Sequence, residues 1–213
     1  MKRLFVLLFA VLTVSVCQTT YAQRIQEEAG ELLVQYGGYA DEVFLVKVFV
    51  DMVPNNYETA TYILAFRAGG ELLPTAISFN GKRELQSFVS ELKLMRNKYK
   101  EWLGVAAANG VTGMVKTLPT MISARTVTFY DGYMNELKTV KIALKGVFMS
   151  DFTSFSLLPY KGVAFGYNVV EPDAIPIFHV SSVEDLDQII KMLDVAEMKK
   201  NIDAKTQINN LFF

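Results

Sequence analysis

A chain of 213 residues with one histidine and one cysteine has few routes to side-chain chemistry. The histidine, His179, lies in the run IPIFHV (175–180), where strand alternation sets Ile175, Ile177 and His179 on one face and Phe178 on the other. Most serine triads need a histidine base, and no serine stands in the Gly-x-Ser-x-Gly context of a nucleophile elbow. His179 therefore reads as a structural or surface histidine and is kept as a candidate binding residue. The cysteine, Cys17, lies inside an N-terminal segment that looks destined for removal, which would exclude thiol catalysis. Structural zinc wants several histidines or cysteines, and no spaced acidic loop of the calcium-binding type occurs, so neither a metal nor another cofactor is expected.

Carboxylates are the remaining route to acid–base work. Asp51 and Asp151 fall near the ends of two similar strands, VFLVKVFVDM (43–52) and IALKGVFMSD (142–151). They align one position apart, Asp51 over Ser150, which sends their side chains to opposite faces and argues against a catalytic pair. Glu184, Asp185 and Asp187 cluster at a helix start, where negative charge complements the helix dipole. Trp102, the single tryptophan, follows Lys98, Tyr99, Lys100 and Glu101. An aromatic beside cations can stack on a sugar or a peptide, so Trp102 and Tyr99 join His179 as candidate binding residues, with capping of the core as the plainer reading. No glycine-rich phosphate loop follows a strand.

The elements that position these residues are legible from periodicity. A basic start (Lys2, Arg3), an uncharged apolar run (4–16) and Thr20-Tyr21-Ala22 read as a signal peptide, 1–22, that exports the chain to the periplasm, the envelope or the medium of a bacterium. A lipoprotein alternative would acylate Cys17, but Val16 stands where a small residue is needed. Without the signal the chain loses two basic residues and its formal charge falls from −1 to −3, which disfavours nucleic acid as a partner. No later run is long and apolar enough for a membrane-spanning helix.

Residues 24–36 predict a helix with Ile25, Ala29, Leu32 and Leu33 on one side. Strands are expected over 43–51, 59–67 and 75–79, then a helix from about Lys82, capped by Asn80, with Leu85, Phe88, Val89, Leu92 and Tyr99 along one stripe. Residues 103–119 read as a linker or an apolar loop. A strand over 124–130 then turns at Asp131-Gly132 into another from Leu137. Ser182 with Asp185 resembles a capping box opening a second long helix, whose stripe is Leu186, Ile189, Ile190 and Leu193.

A shift of 99 superposes Leu45, Val48 and Phe49 on Leu144, Val147 and Phe148, and a shift of 101 superposes the two helical stripes. This order suggests an internal duplication. The expectation is an α+β fold of two βββα-like repeats, 23–119 and 120–213, joined in one mainly antiparallel sheet with two long helices on one face. The functional expectation is an exported non-enzymatic protein that binds a protein or a small apolar ligand through the open sheet face or residues 103–119. A carboxylate-dependent hydrolase using Asp51, Asp151 or His179 is the alternative. So is a subunit of an exported assembly, for which a homo-oligomer is one form.

Overall fold

The computed structural model describes residues 23–35, 43–68, 75–131, 136–151, 154–159, 164–165, 168–169 and 178–209. The signal segment, the turns at 37–38, 69–70 and 132, Ile175, Ile177 and the C-terminal residues 210–213 lie outside the described residues. The fold is mixed α+β: among the described residues there are one eight-stranded antiparallel sheet, a two-stranded sheet and three helices.

Four strands open the chain: β1 (Ile25–Gln35), β2 (Val43–Met52), β3 (Thr61–Ala68) and β4 (Thr75–Asn80). Helix α1 (Lys82–Asn109) follows, then β5 (Val115–Asp131), β6 (Glu136–Met149) and β7 (Ser154–Pro159). The two-residue strands β8 (Ala164–Phe165) and β9 (Asn168–Val169) pair only with each other. Then come β10 (Phe178–Val180), α2 (Val183–Met192) and α3 (Val195–Asn209). The large sheet runs β1-β2-β3-β4-β5-β6-β7-β10, so every neighbour is also a neighbour in sequence apart from the β8–β9 excursion.

All three helices lie on one face, and the core sits between them and the sheet. Val46, Val48 and Val50 of β2 point inward, as do Tyr62, Leu64 and Phe66 of β3 and Ile77 and Phe79 of β4. The stripe Leu85, Phe88, Leu92, Met95 and Tyr99 meets them, and the rings of Phe79 and Phe88 are 4.8 Å apart. Eight strands laid flat would be roughly 35 Å wide at about 4.8 Å per strand. Yet α2, ten residues and therefore about 15 Å long, contacts both terminal strands, β1 and β10. The sheet must curl around the helices for that to hold.

Four sequence expectations need correction. Residues 24–36 form β1, not a helix. A bulge between Glu28 and Gly30 buries Ala29 beside inward Ile25 and Leu32, a spacing of four and three that imitates a helix, whereas Leu33 points outward and is 65 % exposed. Ten pairs with β2 outweigh the local helix preference of the Gln-Glu-Glu-Ala stretch.

Residues 103–119 are not a linker. The alanine-rich part continues α1 to Asn109, Gly110 ends it in the left-handed region (φ 59°) and β5 begins five residues later. Asn80 does not cap α1. Gly81 holds that position without a side-chain bond, and the Glu84 carboxylate reaches back to accept the Asn80 N–H at 2.8 Å.

The fourth correction is to the second long helix, which is two. The stripe of α2 ends at Leu193, and Asp194 starts α3 by accepting the N–H groups of Ala196 and Glu197 at 2.8 and 3.2 Å. The capping reading of Ser182 holds: its hydroxyl accepts the Asp185 N–H at 2.9 Å.

The strand correspondences at a shift of 99 do not preserve the faces of the sheet. Val48 is inward, whereas Val147 is outward, since its neighbour Gly146 points its absent Cβ at the Met95 sulfur. Phe49 is outward, whereas Phe148 is inward, against Tyr99 and Trp102. An odd displacement in a strand exchanges every side chain between faces. The helical correspondences at 101 do match, because Leu85, Phe88 and Leu92, like Leu186, Ile189 and Leu193, are all buried.

Candidate functional site: a groove between the helices

The two helical arms do not close against each other along their whole length. Arg96 of α1 holds Asp187 of α2, with Nε 2.7 Å from Oδ1 and Nη2 on the second oxygen, and this pair fixes the spacing at one end. Hydrogen bonding to Asp187 raises the affinity of the Arg96 guanidinium for its proton. The pair joins α1, which carries Lys82, Arg83, Lys93, Arg96, Lys98 and Lys100, to the acidic start of α2. Beside it opens a groove of about 1120 Å3.

One wall of this groove is the solvent-side flank of α1: Lys82, Gln86, Val89, Ser90 and Lys93. The other runs along α2 and the start of α3, with Lys191, Glu197 and Lys199 at its rim. Its floor is apolar, formed by Val89, Ile190, Leu193 and Val195, of which Ile190 and Leu193 are buried. Lys82 and Lys93 are eleven residues apart on a straight helix, so the groove extends about 16 Å along α1. The arrangement offers an apolar strip with cations on both sides and no buried nucleophile or acid.

The residues singled out from the sequence are distributed elsewhere. Tyr99 is buried in the core, its ring 6.0 Å from Phe148 and 5.7 Å from Phe155, and burial pushes its phenol pKa upward. Trp102 is partly buried one turn further on. Phe148 meets it edge-on at 6.1 Å, and the Lys116 ammonium sits 4.6 Å from the ring centre, so the cation that matters comes from β5 and not from its own helix.

His179 lies on the opposite face of the sheet. It pairs with Ser156 across β10 and β7, only 2 % exposed, and its Nδ1 is 2.6 Å from the Ser156 hydroxyl. Burial holds the imidazole neutral, with its pKa lowered to about 4. Tyr99 and Trp102 thus share one cluster, and His179 does not join it.

The carboxylates are also apart. Asp51 is bound by Arg24, Nε to Oδ1 at 3.0 Å, on β2. Asp151 follows β6, where its Oδ1 accepts the Gly113 N–H. Three strands separate β2 from β6. No group of three or more His, Cys, Asp or Glu side chains able to hold a metal occurs among the described residues.

No protein-family model, curated protein or solved structure matches this chain. Function must therefore be read from the geometry alone. From the sequence Lys82 is only the start of a helix and Val89 and Ile190 are stripe residues, which does not make them two walls of one cleft. The available signal was the width of each stripe, since Val89 and Ile190 lie at its margin where a helix meets a partner obliquely. Lys191 and Lys199 carry no such signal.

Elsewhere on the surface the outward face of β1–β3 places Leu33, Leu45, Phe49 and Ile63 around Lys47, which is ion-paired to Glu28 at 2.8 Å and Glu31 at 2.7 Å. Hydrogen bonds from Lys47 and then Lys205 hold the Glu28 carboxyl below its ordinary pKa. None of the described helices is long and apolar enough to cross a membrane.

Proposed function

We propose that this is an exported, non-enzymatic protein that binds another protein through the groove between α1 and the α2–α3 arm. The observation that carries the reading is the groove itself, an open cleft of about 1120 Å3 with an apolar floor and charged rims. An open cleft leaves a small apolar ligand largely in water, whereas binding sites for such ligands enclose most of their surface. A protein segment needs only one face covered. Export rests on the N-terminal 22 residues, and N-terminal sequencing of the secreted chain should begin at Gln23.

A photo-crosslinking amino acid at Ser90, in the groove, should give discrete protein adducts in the producing cell. The same group at exposed Thr139, on the outward face of the sheet, should not. Equal labelling at both positions would remove the groove from consideration.

One observation favours a second reading, hydrolysis. Ser156 and His179 are within hydrogen-bond reach, as a nucleophile and base must be. Both are nearly excluded from solvent, at 5 % and 2 %, so we expect a fluorophosphonate to leave Ser156 unlabelled. Labelling would reverse the order of the two readings.

The architecture is also consistent with duplication of a four-strand unit followed by a helix, β1–β4 with α1 and then β5, β6, β7 and β10 with α2. Support comes from the order of elements and from the matched helical stripes, not from the residue identities in the strands.

A further inference from the structure

We infer that the segment recognised by the groove is an acidic amphipathic helix of about three turns; the inference rests on the groove being the docking site. Three features point to it. The first is the balance of charge once internal partners are set aside. Lys82 is held by Glu58 at 2.5 Å, Asp187 by Arg96, and the Asp194 carboxylate by the first N–H groups of α3. Lys93, Lys191 and Lys199 make no hydrogen bond or ion pair among the described residues, and they stand on both walls. The Glu197 carboxylate makes no such contact among the described residues, and Asp194 keeps its charge because the N–H groups that bond it are neutral, so three lysines face two carboxylates. The rim therefore presents net positive charge, and a partner that brings carboxylates to it gains attraction without separating an existing pair.

The second feature is the apolar floor between those lysines. Val89 and Val195 are partly exposed there, above buried Ile190 and Leu193 and beside Tyr57, and an apolar stripe at i, i+3, i+4 and i+7 would cover them. The third is the backbone. The walls are helices, and no strand edge lines the groove among the described residues. An extended segment would find no main-chain partners there, whereas a helix arrives with its own N–H and C=O groups already bonded. The length of about 16 Å along α1 sets the number of turns.

The test uses the full mature chain and two fluorescein-labelled synthetic helices of about 18 residues. Both carry the same leucine stripe, one with glutamates and the other with lysines on the polar face. Fluorescence anisotropy should show the acidic helix binding at least about tenfold more tightly, with affinity falling as salt is raised from roughly 50 to 500 mM. Charge reversal by K93E, K191E and K199E together should exchange the preference, with far-UV circular dichroism confirming the fold. The salt dependence of the unaltered protein provides the same information should the triple variant fail to fold. Equal binding of both helices, insensitive to salt but abolished by Val89→Asp, would overturn the acidic preference and leave the groove reading standing. Binding of neither helix would overturn both.

Discussion

Two polar side chains are buried on opposite faces of the same sheet, and they are treated differently. Arg125, on the helix side of β5, is 5 % exposed and keeps its charge because α1 supplies a counter-ion. Its Nη2 lies 2.8 Å from Glu91 Oε2 and 3.2 Å from the Ser87 hydroxyl, while Nη1 reaches the Ala124 carbonyl. Glu91 also accepts from Ser123 at 2.6 Å, so this small network ties the middle of α1 to the bulged part of β5. His179, on the other face, meets a neutral hydroxyl through Nδ1 and is held uncharged by desolvation. A guanidinium cannot shed its proton, so burying it demands a carboxylate; an imidazole can, so burying it demands only a suitable pH.

The contrast can be broken most forcefully at Glu91. Removing the carboxylate in Glu91→Ala leaves Arg125 buried without its counter-ion and should lower unfolding stability by about 3 to 4 kcal/mol in urea titration. Arg125→Met together with Glu91→Gln should recover most of that loss. If the single and double variants prove equally stable, the pair does not anchor α1.

Acid should expose the other side of the comparison. His179 has a folded pKa of about 4 against an ordinary value of 6.5, so between these the unfolded chain binds more protons. Stability should therefore fall as pH drops from about 6.5 to 4, with this one group contributing up to about 3 kcal/mol. Carboxylates titrate in the same range, so the diagnostic is the difference between the native chain and His179→Gln, whose curve should be flatter. Parallel curves would show that His179 is not desolvated in solution.

Ser156→Ala should cost about 1 to 2 kcal/mol, because it takes a 2.6 Å partner from a buried nitrogen; a result near zero would mean that the hydroxyl does not satisfy the ring. Thr128→Ala, on the outward face where water can replace the 2.9 Å contact with Thr139, should change stability by only about 0.3 kcal/mol. A larger loss there would mean that the outward face is not solvated as its exposure indicates.

How much of this was legible differs element by element. The stripe of α1 and the cap at Ser182 were readable because both are local: 3.6-residue spacing and an i to i+3 bond need no knowledge of the rest of the chain. β1 was misread because a bulge is a pairing event that belongs to two strands, and only the Glu28–Gly30 irregularity against β2 explains the spacing. The edge it forms is covered by α3, where Asn201 and Lys205 donate to the carbonyls of Ala29 and Glu28 at 2.9 and 3.0 Å across 172 and 177 residues. The candidate groove was illegible for the same reason, since its two walls are about a hundred residues apart in the chain. Lys47, the one cation in the apolar run VFLVKVFV of β2, points outward between two glutamates of β1, which only the pairing of the strands reveals.

By itself the sequence determined the class of the fold, most strand and helix positions, and the inward stripes of the helices, because short-range periodicity and capping depend on neighbours within a few residues. Only the tertiary structure decided which face each strand buries, that the second arm is two helices, that Trp102 answers to Lys116 and that Arg125 and His179 lie on opposite sides of one sheet. Those outcomes depend on strand register and on the curl of the sheet, and a single-residue slip reverses the first while leaving the composition unchanged.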